Sequence, residues 1–165
     1  MREATTRYYR GLYEVSKKVI SSLQVDEVLQ SLVKGVTEAM GAKGCALMLL
    51  SPDRKVLVHR TAYGLSDAYI RKGPVDVDAS ISEALEGKVV AIPNAPEDPR
   101  IEYPEEAKRE GITSILCVPM VLGEEVIGVM RVYTQEQRHF SIDDMYFAGI
   151  AANLGAIAME NARFY

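Results

Sequence analysis

The last third of the chain, residues 111–165, restricts the fold more than any other segment. It reads GITSILCVPMVLGEEVIGVMRVYTQEQRHFSIDDMYFAGIAANLGAIAMENARFY, with an apolar run on each side of a Gly-Glu-Glu turn. Both runs are rich in Val and Ile and are interrupted by Pro119 and Gly128, a composition that favours strands over helices. The segment therefore begins with a predicted antiparallel hairpin, which must pack against another layer.

A helix is predicted directly after this hairpin. Ser141 stands at an N-cap position, and Asp143 and Asp144 place negative charge in the first turn. Apolar residues then recur at helical spacing at Phe147, Ile150, Ala151, Leu154, Ile157 and Ala158. We expect a helix over about residues 141–164, with this apolar side against the sheet.

The first 40 residues predict two more helices and no strand. Helical spacing is kept by Tyr9, Leu12, Tyr13, Val19, Ile20 and Leu23. This pattern predicts an amphipathic helix over about residues 4–23. A second helix is predicted over residues 26–40, and Gly41 follows where a glycine commonly ends a helix.

A second hairpin is predicted from residue 43 to residue 63. Residues 43–50 are apolar on both faces, which is typical of a central strand, and residues 51–54 form a Ser-Pro-Asp-Arg turn. Strict alternation along residues 56–63 places Leu57, His59, Thr61 and Tyr63 on one side. That side is mixed apolar and polar.

Residues 64–111 have no long periodic segment, and prolines at positions 93, 96, 99 and 104 interrupt their second half. We predict a short helix over residues 80–86, a strand over 89–92, a surface loop over 93–104 and a short helix over 105–110. Long loops in a compact domain are usually functional or mobile. This region is therefore a candidate cover for a site.

Size and composition exclude several classes of function. A chain of 165 residues with a net charge of -4 is predicted to form a single domain over residues 1–165 that does not bind nucleic acid. It contains no apolar run of about 20 residues that would span a membrane. The N-terminal residues lack the order of a secretory signal, and two cysteines far apart do not suggest a disulfide framework. We expect a cytoplasmic protein without membrane contact.

An ordered set of segments resembles a known family. In chain order these are VLQSLVKGVTEAMGAKGCALMLL (28–50), EGKVVAIPNAPEDPR (86–100), VPM (118–120), VIGVMRVY (126–133), Phe140 with Ser141 and Asp144, and AIAMENARFY (156–165). Together they closely resemble a GAF domain over nearly the whole chain. The resemblance implies an α+β, GAF-like (profilin-like) fold. Its antiparallel sheet of five or six strands carries the terminal helices on one face and a pocket capped by loops and short helices on the other.

Enzymatic chemistry finds little support in the residues. Cys45 and Cys117 lie in predicted strands among apolar neighbours, where a thiol has a raised pKa and a structural role. Some GAF-fold proteins are free methionine sulfoxide reductases that use cysteines from loops over the pocket, but this chain has no cysteine between these two. His59 and His139 have no Asp, Glu or Cys at metal-ligand spacing, and His139 is expected in an exposed loop. We therefore predict no catalytic residue and no metal site.

The resemblance also raises cofactors that the residues do not match. Cyclic-nucleotide-binding relatives carry an Asn-Lys pair followed by Phe and Asp-Glu, whereas this chain has Tyr133 and Thr134 at the place of the pair. Phe140 and the acidic residues after it have a structural interpretation as helix-start residues. Bilin-binding relatives attach the tetrapyrrole through a pocket cysteine beside a histidine, and neither cysteine here has such a neighbour. A haem would need an axial ligand, and His59 is the only histidine placed to supply one. The cofactor is left unassigned.

A generic ligand pocket remains. Alternation along residues 126–133 places Val126, Gly128, Met130 and Val132 on one face and Ile127, Val129, Arg131 and Tyr133 on the other. Because Gly128 allows close approach of a helix, we assign the first face to the helical layer. We predict that Arg131, Tyr133, His59 and Tyr63 face the pocket. Arg131 either binds a carboxylate or phosphate of the ligand, or reaches the sheet edge or an acidic residue.

The terminal helices suggest a homodimer. Their leftover apolar residues include Tyr9, Leu12, Tyr13, Ile157, Phe164 and Tyr165. These are predicted to pack in a helical bundle between two copies, unless all of them pack within one subunit.

We therefore expect a non-catalytic sensory or regulatory module that binds an unidentified small molecule and signals through its terminal helices to an output protein or domain. The alternatives are a dimerisation scaffold without ligand and a free methionine-R-sulfoxide reductase-like redox enzyme.

Overall fold

The computed structural model describes residues 2–21, 24–73, 75–76 and 81–162. Its helices are α1 (Arg2–Ser21), α2 (Val25–Met40), α3 (Asp67–Ile70), α4 (Ser82–Leu85), α5 (Pro104–Glu110) and α6 (Ile142–Ala162), with a 3-10 turn at Ala95–Glu97. Its strands are β1 (Gly44–Leu50), β2 (Val56–Tyr63), β3 (Val75–Asp76), β4 (Val90–Ile92), β5 (Ser114–Leu122) and β6 (Glu125–Thr134). The predicted α+β order of long helices, strands and irregular segments, and a long last helix is confirmed.

The six strands form one antiparallel sheet in the order β3-β2-β1-β6-β5-β4. Both predicted hairpins are present, as β1 with β2 and as β5 with β6. Their neighbouring inner strands, β1 and β6, pair along most of their length. The centre of the sheet is thus covered on both faces, which explains why β1 is apolar on both sides.

Three long helices cover one face of the sheet. α1 and α2 run antiparallel, with Gly11 beside Ala39 and Gly35 beside Val15. Gly41 ends α2 in the left-handed conformation at φ 61°, as predicted. The buried residues between these helices and the sheet, here called the helical cluster, include Leu29, Leu32, Leu47, Met120, Met130, Val132, Phe147 and Ala151.

α6 packs on the sheet through small residues. Gly155 lies where an added Cβ would be 2.9 Å from Cδ2 of Leu32, so the helix can approach closely only without a side chain there. Ile150, predicted on the inward side, is instead 48% exposed, and Ile157, which was also predicted as a leftover apolar residue for a dimer, is 43% exposed. The inward positions are occupied by Ala148, Ala151, Ala152 and Ala156. α6 is therefore apolar on two sides, and only one side covers the sheet.

The other face of the sheet is covered by the short elements between β2 and β5, here called the cap. Ser66 begins α3 by accepting a hydrogen bond from Tyr69 N at 3.2 Å, and Gly111 ends α5 at φ 79°. The buried residues between the cap and the sheet, here called the cap cluster, include Met48, Leu57, Tyr69, Ile81, Ile92, Ile112, Val129 and Tyr133. The predicted helices near residues 80–86 and 105–110 and the strand near 89–92 are confirmed, apart from residue 80, which lies outside the described residues.

The start of α6 is joined to the other two long helices. Ser141 and Asp144 exchange hydrogen bonds between side chains and backbone amides, at 3.0 and 2.9 Å, as the predicted N-cap requires. Asp144 also accepts hydrogen bonds from Tyr8 Oη of α1 at 2.5 Å and from Arg138 Nη2 at 3.1 Å. Arg138 Nη1 in turn donates to the carbonyl oxygen of Met40 at the end of α2. One carboxylate thus holds the beginnings of α1 and α6 together.

Gly128 has a different neighbour from the predicted one. A Cβ at this position would collide with the carbonyl oxygen of Met48, so the glycine makes room for strand β1 and not for a helix. Met130 and Val132 do face the helices as predicted, but Ile127 packs against the helical cluster as well. Strict alternation along β6 therefore holds only after Gly128.

No helix among the described residues is long and apolar enough to cross a membrane.

Candidate functional site

The candidate site lies under the cap and is centred on Arg131 of β6. Its neighbours in the sheet register are Ala46 of β1 and Cys117 of β5, and all three side chains lie on the cap side. Residues on adjacent strands that face the same way are about 5 Å apart, so two small side chains flank the arginine. The long Arg131 side chain thus lies between two small ones.

Arg131 is a buried charge with no carboxylate partner among the described residues, and the side chains that act on it are neutral ones, Cys117 and Tyr133. It is 3% exposed, and within the part of the chain that the structure describes, its Nε and Nη2 atoms make no hydrogen bond and no carboxylate lies within ion-pair distance. The guanidinium stays protonated at any physiological pH. A buried charge of this kind is strongly unfavourable unless an anion approaches it.

Tyr133 extends the same row of side chains by one pleat. It is fully buried, and its hydroxyl has no hydrogen-bond partner among the described residues. Its ring meets Tyr69 of α3 edge to face, with centroids 5.7 Å apart. Burial raises the pKa of both phenols, so both hydroxyls are neutral donors.

His59 reaches the site from β2. It pairs with Met48, a cap-cluster residue, and its two ring nitrogens are buried without a hydrogen bond to any described residue. Burial first, and then the positive charges of Lys72 and Arg131, lower the pKa of His59 to about 4. The imidazole is therefore neutral near pH 7 and offers one donor and one acceptor.

Lys72, which the sequence did not single out, is the second cation of the site. Its Nζ lies 3.8 Å from the centroid of the Tyr69 ring and donates to the Tyr69 carbonyl oxygen at 3.1 Å. Burial first, and then Arg131, lower the pKa of Lys72 to about 8, although Glu106, Glu110 and Glu102 act in the opposite direction. In the sequence, the only signal for Lys72 as a site residue is its position just after a short helix that Ser66 caps.

Tyr63 does not belong to the site. It pairs with Cys45 and packs against the helical cluster, on the opposite face from Arg131. The reason is a β-bulge: Leu47 pairs with Thr61 and Met48 pairs with His59, so Arg60 is an extra residue in β2. One inserted residue exchanges the two faces, so Thr61 and Tyr63 lie on the helical side.

The cysteines cannot act together. Cys45 faces the helical cluster and Cys117 faces the cap cluster, so the two thiols lie on opposite faces of the sheet. Burial raises the pKa of each thiol, which opposes thiolate formation. Among the described residues, no group of three or more His, Cys, Asp or Glu side chains is placed to hold a metal ion.

A second apolar surface lies outside the sheet, along α1 and α6. These helices are parallel, since Tyr8 stacks on Phe147 at 4.3 Å between centroids and Leu12 and Ile150 line the same groove further along. Large apolar residues remain exposed on this side at Tyr9, Tyr13, Tyr146, Ile150 and Ile157. Here this set is called the terminal-helix surface. Phe164 and Tyr165, predicted to belong to it, lie outside the described residues.

Comparison with known proteins agrees with this architecture. A curated relative, the methyl sulfide methyltransferase-associated sensor of Methanosarcina acetivorans, is 28% identical over 156 residues, which are 90% of this chain and 16% of the relative. The chain thus spans less than a fifth of that protein.

Two solved structures have the same fold. The GAF domain of a phosphoenolpyruvate-protein phosphotransferase from Coxiella burnetii matches with a TM-score of 0.84 at 19% identity, covering 96% of each chain. The free methionine-R-sulfoxide reductase of Neisseria meningitidis, solved with its substrate, matches with a TM-score of 0.78 at 17% identity, covering 95% of this chain and 90% of that one. The family model of the GAF domain matches residues 22–160, and the chain therefore belongs to the GAF domain family.

Proposed function

We propose that the chain is a sensory module that binds a small molecule under the cap and transmits its occupancy through α1 and α6. The observation that carries this proposal is the buried, unpartnered Arg131 between two small residues. The sensor name of the relative from Methanosarcina acetivorans supports the same class of function. Catalysis is not part of the proposal.

The sheet supplies a physical connection between the pocket and the helices. Within β6, Arg131 and Tyr133 face the cap, and Met130 and Val132, next to them in the chain, face the helical cluster. A ligand that displaces β6 therefore displaces the helical cluster and, through the paired neighbour β5, the strand on which α6 mainly packs. It can bias the helices only by the difference in its affinity for their two arrangements.

The terminal-helix surface supports a homodimer as the transmitting form. α6 is apolar on two sides, and a helix of this kind is normally covered all round. The exposed residues lie along two parallel helices, so a two-fold axis can place the same strip of each copy face to face. The output partner is then a protein or domain that reads the arrangement of the paired helices.

Two alternatives are disfavoured by particular observations. A dimerisation scaffold whose pocket is filled by its own side chains does not account for the unpaired donors of Arg131, Tyr133 and His59. A reductase that needs two cooperating cysteines does not fit Cys45 and Cys117 on opposite faces of the sheet. The similarity to the Neisseria meningitidis enzyme extends to the fold.

Native mass spectrometry and light scattering test the proposal together. We expect a species of twice 18.2 kDa, with a small molecule retained in a part of the preparation or taken up from a metabolite mixture. Hydrogen exchange in α1 and α6 should slow when the pocket is filled. A protein that takes up no small molecule, or whose terminal helices exchange at the same rate with and without one, contradicts a sensory role.

A further inference from the structure

We infer that the ligand of this site is a small organic carboxylate with an apolar body, bound by the Nε and Nη2 edge of Arg131. This inference rests on the proposed sensory function and names the chemical class of the ligand. It follows from which atoms of the site are unpaired, how many permanent charges the site holds and what surrounds them.

The unpaired atoms of Arg131 form a carboxylate-binding edge. The Nε–H and Nη2–H bonds lie in one plane and point the same way, and both nitrogens are buried without a partner among the described residues. Two parallel N–H donors match the two oxygens of a carboxylate in a bidentate pair. An arginine with a purely structural role would use this edge within the protein.

The charges of the site favour a monoanion. Arg131 is fully charged, His59 is neutral near pH 7, and Lys72, whose pKa burial lowers to about 8, still carries most of its positive charge at that pH. Three cap carboxylates, Glu102, Glu106 and Glu110, lie within electrostatic range of Lys72. They offset the positive charge of Lys72, which leaves the charge of Arg131 for the ligand, and they oppose a highly charged ligand, so a phosphate or nucleotide fits less well than a carboxylate.

The surroundings favour an apolar body. Around the arginine the cap cluster presents Ala46, Met48, Val129 and Cys117, and burial of carbon atoms against such side chains is favourable. The Tyr133 hydroxyl and the His59 ring supply separate hydrogen-bonding groups. A short-chain carboxylate, with or without one polar substituent, satisfies both features.

Thermal unfolding with matched probes tests the inference. The probes are acetate, butyrate, pyruvate and glutarate, each paired with its neutral amide, together with inorganic phosphate and sulfate. We expect at least one carboxylate to raise the Tm of the wild type by roughly 5 °C at 100 times its Kd, and its amide to leave the Tm unchanged.

Substitution of the arginine should have two effects of opposite sign. In Arg131→Met the carboxylate-induced rise in Tm should be lost, while the Tm without ligand should equal or exceed that of the wild type, because an unpaired buried charge is removed. Arg131→Lys keeps the charge without the bidentate edge, and we expect it to fold normally and bind at least 10-fold more weakly. Arg10→Met, which removes an exposed positive charge from α1, should change neither value.

The outcomes separate this inference from the proposed function. Three results would show that the ligand is not a carboxylate: amides that stabilise as well as carboxylates, phosphate or sulfate that stabilise more than any carboxylate, or an Arg131→Lys variant that binds as the wild type does. The proposed sensory function would then stand with another ligand. If no probe binds and Arg131→Met unfolds far below the wild type, the arginine is structural. Both the inference and the proposed function then fail.

Discussion

Arg131 and Asp144 are both buried charges, and their surroundings differ in a way that separates architecture from function. Asp144 is 7% exposed and accepts hydrogen bonds from Tyr8, Ser141 and Arg138. Arg131 is 3% exposed, and within the described residues it has no carboxylate partner and its Nε and Nη2 atoms make no hydrogen bond. Removing one partner of a paired buried charge is strongly destabilising, whereas a buried charge without an ionic partner marks a candidate ligand site.

Asp144→Asn should destabilise the protein by about 2 kcal/mol at pH 7, because charge-assisted hydrogen bonds are lost in a buried position. Burial alone would raise the pKa of Asp144, but the hydrogen bonds from Tyr8 and Ser141 and the positive charge of Arg138 outweigh it, so the pKa is lowered overall. The stabilisation is therefore present above the unfolded pKa and lost as pH falls through the folded one. Urea unfolding at pH 7 and pH 3 measures this difference, which should shrink at pH 3.

Asp143→Asn is the matched control, because it removes the same charge from the same helix turn at an exposed position. We expect it to change stability by about 0.5 kcal/mol. Equal effects of the two substitutions would mean that the helix dipole, and not the hydrogen bonds, accounts for the role of Asp144.

His59 should make the protein less stable in mild acid. Its folded pKa of about 4 lies below the ordinary value of 6.5, so the unfolded state binds the proton more readily. Stability is then unaffected above pH 6.5 and falls as pH drops from 6.5 towards 4. His59→Asn should unfold at a temperature that depends less on pH across this window.

Calorimetry between pH 4.5 and pH 7.5 measures the Tm of this variant and of the wild type. His139→Asn removes an exposed imidazole and is the control. An identical pH profile for wild type and His59→Asn contradicts the prediction.

Some site residues were predictable and others were not, for reasons that can be named. Arg131 and Tyr133 followed from the period of two along β6, because that period holds after Gly128. Tyr63 was placed on the wrong face, since nothing in the sequence marks Arg60 as an inserted residue. Lys72 was missed because it follows a four-residue helix that has no periodicity to read.

At the scale of elements, Gly128 is a position where the pairing of β6 with β1 leaves no room for a side chain. Gly128→Ala should destabilise the protein by about 2–3 kcal/mol, because its Cβ would meet the backbone of β1, which cannot move without breaking strand pairing. Gly35→Ala in α2 is the control: its Cβ would lie at an ordinary 3.7 Å from Val15, and we expect a gain of roughly 0.5–1 kcal/mol. Chemical denaturation measures both, and a loss at Gly35 as large as that at Gly128 would contradict the explanation.

The long elements were predictable because caps, turns and periodicity agree in them. Gly41 and Ser141 mark helix ends that the structure confirms, and β2 has the predicted bounds. The inward face of α6 was only partly predicted. Ranking positions by hydrophobicity favours Ile150 and Ile157, whereas close packing on the sheet selects Ala and Gly.

At the scale of the whole molecule, the proposed homodimer has its interface on the terminal-helix surface. Ile150→Glu places a charge in the middle of this surface, and we expect it to raise the dimer dissociation constant at least 100-fold and to yield an 18.2 kDa species. Val58→Glu adds the same charge at another exposed apolar residue, on β2, and should leave the dimer intact. Sedimentation at micromolar concentration measures both, and a dimeric Ile150→Glu variant would exclude this surface as the interface.

The parallel course of α1 and α6 has a consequence for engineering. Because Tyr8 lies beside Asp144 and the two helices then run in the same direction, Arg2 and Ala162 lie at opposite ends of the pair. Arg2 precedes Tyr8 by six residues and Ala162 follows Asp144 by 18, so at 1.5 Å per residue the two are separated by roughly 36 Å along the pair. Fluorophores attached at Arg2 and Ala162 would lie at opposite ends of the helix pair, and energy transfer between them would report changes in the distance between these ends.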